Sequence, residues 1–246
     1  MKNLTVLYKK EKGALKPTQG YENDFAYDIY AAEGRLVPPL TFRSVIVPTN
    51  LKLAFDPLVA GMQISLRSGA AAKTPLIVSN SPGIVEGTYR GGVGILVRNS
   101  FIDSHLVDFV MTVDGKRLPV SKVPAKVLKA AKKFYDEETE LLGYDKVSED
   151  LQKSLYKSVV PRGTVYIAKH DRIAQVSFAE KIVADFKEAE VLPESVRQEN
   201  KFGSSGSSVS LVDDLVEPNP LDEGAKANKE ILMKAIENSQ KIDKRG

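Results

Sequence analysis

The sequence predicts an all-β fold, a sandwich or barrel, interrupted by one helical insertion and followed by a helical C-terminal extension. Three observations carry this. Short runs of β-branched, aromatic or alternating apolar residues fill the first hundred residues, and turn residues separate them. No helical period falls between those runs, which excludes repeated βαβ units. The texture becomes helical near Asp103 and returns to strand near Thr164.

The strand runs are Leu4 to Tyr8, Phe25 to Tyr30, Arg43 to Val47, Met62 to Leu66, Leu76 to Val78 and Val93 to Val97. Lys-Gly, Pro-Pro, Asp-Pro, Ser-Gly, Ser-Pro-Gly and Arg-Gly-Gly punctuate them. Pro124 to Leu142 reads as a helix, with Pro124 suited to the first turn and Gly143 as a stop. Val127, Ala131, Phe134 and Leu141 share a face that Glu138 interrupts. Ser148 to Tyr156 reads as a second short helix with Ser148 as its cap. Across residues 101–160 ten acidic residues meet ten basic ones, so this span is neutral and no electrostatic arm for nucleic acid. Strands resume at Thr164 to Ala168 and Arg172 to Phe178. A Gly/Ser-rich stretch follows at 201–208, and Leu221 to Ile242 then has the pattern of a C-terminal helix. The expected organisation is a barrel from residues 1–102 and 161–206, an inserted, mainly helical module at 103–160, and an extension at 207–246.

Composition narrows the function classes. The 246 residues are 42% hydrophobic and 27% charged, with a net charge of +3, ordinary for a globular protein and too weakly basic to suggest a nucleic-acid binder. With no cysteine there is no disulfide framework, thiolate zinc site or cysteine nucleophile, and two histidines leave little for a histidine metal site. No run is long enough to cross a bilayer or to serve as a signal-peptide core. A cytoplasmic location is the expectation.

Several short segments have chemistry to offer. Arg67-Ser68-Gly69 combines a guanidinium fork, a hydroxyl and an unobstructed backbone N–H, all suited to phosphate oxygens, and a short helix opening at Ala70 to Lys73 would add amides. As a lone tripeptide it reads equally as a polar turn. In Asn80 to Gly91, a wide hairpin explains the Pro and Gly residues but not a carboxylate and an aromatic at fixed offsets. Asn80 can read an amide or imide edge, and Glu86 can act as a general base beside a water. Asp171-Arg172 opens a strand and by itself reads as a surface pair. Phe202 is the anomaly in the Gly/Ser-rich stretch, because a mobile segment with an aromatic and an arginine can close over a ligand.

The order of these pieces is more specific than any one of them. Ala26-Tyr27-Asp28-Ile29-Tyr30-Ala31-Ala32-Glu33, Arg67-Ser68-Gly69, Asn80-Ser81-Pro82-Gly83 through Tyr89-Arg90-Gly91, Asp171-Arg172-Ile173-Ala174-Gln175 and Phe202-Gly203-Ser204-Ser205-Gly206 resemble, in order, the five motifs of the trimeric dUTP pyrophosphatase (dUTPase) family. The resemblance covers about residues 20–100 and 161–206. It implies a jelly-roll-like dUTPase barrel (β-clip), a homotrimer with active sites shared between subunits, and Mg2+-dependent hydrolysis of dUTP to dUMP and pyrophosphate.

By position, it implies that Asp28 helps hold the metal through water and that Glu86 is the base. Arg67, Ser68 and Gly69 would contact phosphates, and Gln175 would fix the α-phosphate or the attacking water. Asn80 and the backbone at Gly83 would read uracil, and Tyr89 would pack under deoxyribose. Arg197 would meet the γ-phosphate, Phe202 would stack on uracil, and Gly203, Ser204 and Ser205 would cap the phosphates. The chain departs from the family pattern in four ways. Glu86 stands where the family has Asp, Ala26 replaces a Gly and Leu66 a Pro, and Arg197 to Phe202 lacks the usual glycines.

The insertion is similar to those of some bacteriophage members. A packed surface module is its first reading and a protein-binding surface its second. dCTP deaminase shares the fold and much of the motif order, but its base would fall at Leu96, so deamination lacks a proton shuttle. Two alternatives stay open at the level of sequence: a catalytically weak dUTP-binding regulator, and a pyrophosphatase for a modified deoxyuridine triphosphate. Neither a membrane nor direct nucleic-acid contact is expected.

Overall fold

The structure is a computed structural model that describes residues 3–143 and 148–195. Residues 1–182 form one compact unit and 183–246 a second; in the second, the described residues 183–195 contain no helix or strand. Everything below concerns the first unit.

Its strands are β1 (Leu7–Lys10), β2 (Tyr27–Tyr30), β3 (Arg35–Val37), β4 (Val45–Pro48), β5 (Leu51–Ala54), β6 (Ala60–Leu66), β7 (Leu76–Val78), β8 (Gly83–Val85) and β9 (Gly94–Asn99). The chain continues through β10 (Leu106–Val107), β11 (Phe109–Thr112), β12 (Arg117–Pro119), β13 (Val160–Pro161), β14 (Val165–Ile167) and β15 (Arg172–Glu180). The helices are α1 (Ser68–Lys73), α2 (Ala125–Leu142) and α3 (Glu149–Ser154).

Two sheets position the site. One has the order β2-β15-β6-β8, with every neighbouring pair antiparallel. The other is β4-β9-β7. Alternation along β6, where Met62 and Ile64 are buried between half-exposed neighbours, fixes which face meets the core. Ile29, Val47, Met62, Ile64, Ile95, Val97, Ile173 and Val176 fill one continuous core from both sheets. Each buried Val or Ile in it contributes roughly 1.5–3 kcal/mol.

A second core joins the insertion to the barrel. Val127 and Ala131 of α2 pack with Leu36 of β3, Val110 of β11 and Tyr166 of β14, and with Leu155 and Tyr156 after α3. Gly34 allows the approach, since a Cβ there would lie 2.9 Å from a Val127 methyl. Pro124 occupies the N-cap of α2, and Gly143 ends it in the left-handed conformation at φ 66°. Helix α2 has no acid in its first turn and no base in its last, so the helix dipole does not favour it. Packing of its apolar stripe is what holds it.

The architecture is all-β with few helices, as the texture predicts, but the strand map differs. Strands β3, β5 and β8 lie in stretches the sequence reading leaves as connections; each has only three or four residues, too few to show a period. Within the span expected to be mainly helical, 103–160, residues 106–119 instead form β10, β11 and β12. Phe109–Thr112 pairs with β12 and, in parallel, with β14 of the sheet that includes β3. Its aromatic and β-branched residues suit a strand, and the partner that stabilises it lies some fifty residues downstream. The helix expected at Leu221 to Ile242 lies outside the described residues.

Candidate functional site

Three neighbouring strands place a polar row on the β2-β15-β6-β8 sheet. Asp28 on β2 pairs with Gln175 on β15, and Gln175 pairs with Ser65 on β6. Directly paired residues share a face, so these three side chains stand side by side. Asp28 is 7% exposed. Its Oδ1 accepts Arg67 Nε at 2.6 Å and its Oδ2 accepts Arg172 Nη1 at 3.3 Å. Both guanidiniums remain partly solvated, at 32% and 50% side-chain exposure. A buried carboxylate thus orients two cations whose remaining donors face outward. The cluster carries one net positive charge and suits a polyanion.

Arg172 is the functional residue the sequence reading misses, having paired it with Asp171. A register shift between Arg172 and Ala174 on β15 sets Arg172 opposite Tyr30 and Ala174 opposite Ile29, as a bulge re-aims a side chain. Asp171 turns elsewhere: its Oδ2 accepts the Ala168 N–H at 2.7 Å and closes the turn before β15. Burial pushes its carboxyl above the usual carboxylate range, against the pull of that hydrogen bond.

Arg67 also marks the start of α1. Its backbone is extended, at φ −65° and ψ 141°, and its N–H bonds the Ile173 carbonyl at 3.2 Å. The first intrahelical bond runs from the Ala71 N–H to the Arg67 carbonyl at 2.9 Å, so the amides of Ser68, Gly69 and Ala70 precede the helical ladder. Ser68 and Gly69 are exposed, and a Cβ built on Gly69 would meet nothing within 4 Å.

Asn80 and Gly83 form a second element. Gly83 is buried against β6, opposite Ile64. A Cβ on it would come within 3.3 Å of Asn80 Nδ2 and 3.4 Å of Oδ1, so the Asn80 amide lies directly over the glycine. The Ser81–Pro82 peptide between them is cis. Further on, the Tyr89 N–H bonds the Glu86 carbonyl at 3.0 Å, and Arg90 Nη1 holds the Gly87 carbonyl at 2.5 Å. This turn presents an exposed Glu86 and a half-exposed Tyr89, whose hydroxyl bonds the Gly92 carbonyl at 3.3 Å.

The structure therefore brings Asp28, Arg67 and Gln175 together next to Ser68 and Gly69, and brings Asn80 onto Gly83. It does not bring Glu86 to Gln175 within one chain. Val85 pairs with Met62, and Gln175 with Ser65. Three residues along the strand and two strand spacings across the sheet separate Val85 and Gln175 by about 14 Å. Glu86 lies one residue further away. Arg197, Phe202, Gly203, Ser204 and Ser205 lie outside the described residues.

Among the described residues no three His, Asp or Glu side chains cluster as a metal cage. Asp28, with both oxygens engaged by guanidiniums, fits only a metal held mainly by other ligands and reached through water.

Comparison with known proteins bears on the same residues. The dUTPase family model matches residues 13–105. The deoxyuridine 5'-triphosphate nucleotidohydrolase of Gloeothece citriformis is 36% identical over 91 residues, which are 37% of this chain and 61% of the relative. The match thus spans about three fifths of that relative's length. In fold, the chain is similar to the dUTPase of Staphylococcus bacteriophage 80alpha in complex with dUpNHpp, with a TM-score of 0.61 and 23% identity over 82% of this chain and 99% of that one. It is also similar to the dUTPase of phage phi11 of S. aureus, a structure that visualises a species-specific insert, with a TM-score of 0.55 and 19% identity over 76% and 97% of the two chains. Through the barrel segment that carries Asp28, Arg67, Asn80 and Glu86, this chain belongs to the dUTPase family.

Proposed function

We propose that the protein hydrolyses dUTP to dUMP and pyrophosphate, by attack of water on the α-phosphate. The carrying observation is the Asp28-braced pair Arg67 and Arg172 beside the open amides of Ser68 and Gly69, on a dUTPase-family barrel. Such chemistry needs charge neutralisation and an in-line water more than covalent help. Arg67, Arg172, Ser68 and Gly69 bind and neutralise phosphate oxygens. Gln175, beside Asp28, orients the α-phosphate or the water. Asn80 over Gly83 reads the donor and acceptor edge of uracil, and Tyr89 packs against deoxyribose. Glu86 removes the proton from the attacking water. Arg197, Phe202, Gly203, Ser204 and Ser205 act at the γ-phosphate, the base and the phosphate chain.

Mg2+ belongs to this reading as an ion that neutralises the triphosphate, which supplies most of its ligands, with Asp28 reaching it through water. The 14 Å gap between the Glu86 side of β8 and Gln175 supports a site completed by another copy of the chain, in a homotrimer. Under this reading residues 1–102 and 161–206 make the catalytic barrel, 103–160 a surface module packed on it, and 207–246 an extension. No helix among the described residues is long and apolar enough to cross a membrane; a cytoplasmic role in keeping uracil out of DNA and supplying dUMP is part of the proposal. Glu86 in place of the family's Asp favours one second reading, a dUTP-binding regulator with weak turnover, because its extra methylene displaces the base. Pyrophosphate release measured in parallel with dUTP, dTTP, dCTP and UTP tests the proposal: release from dUTP alone supports it, and binding without release supports the regulator.

A further inference from the structure

Helix α2 has one buried acid on an otherwise solvated side. Glu138 is 7% exposed, and its carboxylate reaches a loop 95 residues earlier in the chain. Its Oε2 accepts the Phe42 N–H at 3.1 Å, and its Oε1 accepts the Arg43 N–H at 2.6 Å and Arg43 Nε at 3.5 Å. The Arg43 guanidinium also sits 5.1 Å over the Phe134 ring of α2. On the other side, Arg98 of β9 holds the Phe42 carbonyl and donates Nε to Ser44 Oγ at 3.4 Å. Residues 42–44 are therefore clamped between the insertion helix and the β4-β9-β7 sheet.

The clamp leads to the base-reading element. The Ser44 and Ser79 hydroxyls share a hydrogen bond of 2.7 Å, and Ser79 immediately precedes Asn80. The Ser79 N–H is fixed to the Leu96 carbonyl at 2.9 Å, and the Ser81 N–H to the Val78 carbonyl at 3.1 Å. Exposed loops satisfy their hydroxyls and amides with water. A buried carboxylate with two main-chain donors, followed by a hydroxyl link between two loops, is a more demanding arrangement, because charge-assisted bonds hold geometry tightly. From this continuous chain, Glu138 to residues 42–44 to Ser79, we infer that Glu138 and the Ser44–Ser79 pair are positioning residues that set the Asn80 amide. Discrimination for the uracil edge then depends on the insertion. The inference rests on the reading that Asn80 recognises uracil.

The test uses the full chain and the imido analogues of dUTP and dCTP, with dissociation constants and steady-state turnover measured for wild type, Ser44→Ala, Glu138→Gln and the double variant. Ser44→Ala touches only an exposed hydroxyl and serves if Glu138→Gln disturbs folding. The expected result is a three- to tenfold weaker dUTP analogue, about what one hydrogen bond provides, with a reduced preference over dCTP and kcat within about twofold of wild type. The double variant should be no worse than the stronger single one, since both act through one chain of contacts, and Ser44→Thr should restore the affinity. Unchanged affinity and preference in Ser44→Ala overturn the inference, as does equal weakening of both analogues. A wild type that binds the dUTP analogue no better than the dCTP analogue removes the underlying reading of Asn80 instead.

Discussion

Gly69→Ala separates a residue required by the fold from one required by the ligand. Gly69 is the second residue of α1, in ordinary helical backbone, and a Cβ there meets nothing within 4 Å. Alanine relieves the entropic cost of glycine in a helix, a gain of about 0.5 kcal/mol in a first turn. For a chain of this size that raises Tm by about 1–2 °C. The same methyl occupies the space through which a phosphate oxygen would approach the backbone amides. Loss of one hydrogen bond to a charged group costs about 1.5–3 kcal/mol, a roughly 10- to 150-fold rise in KM for dUTP. Thermal unfolding and steady-state pyrophosphate release on the same preparation give both numbers. The reasoning requires opposite signs: a more stable protein that binds worse. A variant with unchanged KM refutes the placing of phosphate at Gly69. Gly87→Ala is the contrasting control, since its Cβ would stand 2.6 Å from the Phe55 carbonyl oxygen and 3.0 Å from Pro57 Cα, both backbone atoms, and it should lose stability outright.

Two further outcomes follow from the ion pairs and burial. Asp28→Asn leaves Arg67 and Arg172 without their shared carboxylate; because both arginines are partly solvated, the cost should lie between that of an exposed and a fully buried pair, about 2 kcal/mol in chemical unfolding, and dUTP turnover should fall with it. Asp171 has its carboxyl raised by burial, so the folded state binds its proton more tightly than the unfolded state does, and stability falls as pH rises through the carboxylate range. Asp171→Asn should therefore be more stable than wild type at neutral pH, with the difference closing once the pH drops below the ordinary carboxylate range; a difference that widens under acid contradicts the burial argument.

Residues whose roles depend on local order were legible in the sequence. Arg67, Ser68 and Gly69 follow a strand, Asn80 and Gly83 flank a Ser-Pro pair, and Pro124 and Gly143 bracket α2. Strand β7 appears with the expected bounds because turn residues adjoin it on both sides. Roles that depend on distant partners were not legible. Glu138 reads as a flaw in an apolar stripe until the amides of Phe42 and Arg43 are seen to need its carboxylate. Arg172 reads as a neighbour of Asp171 until the register shift in β15 sends it to Asp28. Three-residue strands such as Arg35–Val37 exist because β14 pairs with them, and no period can show in three residues. The separation of Glu86 from Gln175 depends on the strand order β15-β6-β8, which no local pattern encodes.

The central claim is that Glu86 is the base of a dUTP pyrophosphatase. Its most direct test is pyrophosphate release from dUTP with Mg2+ by the wild type and by Glu86→Gln, with dUTP affinity measured for both. The account predicts turnover of dUTP by the wild type, and loss of turnover with retained affinity in Glu86→Gln. Wild-type protein that binds dUTP without cleaving it, or a Glu86→Gln variant that cleaves it at the wild-type rate, would contradict the account.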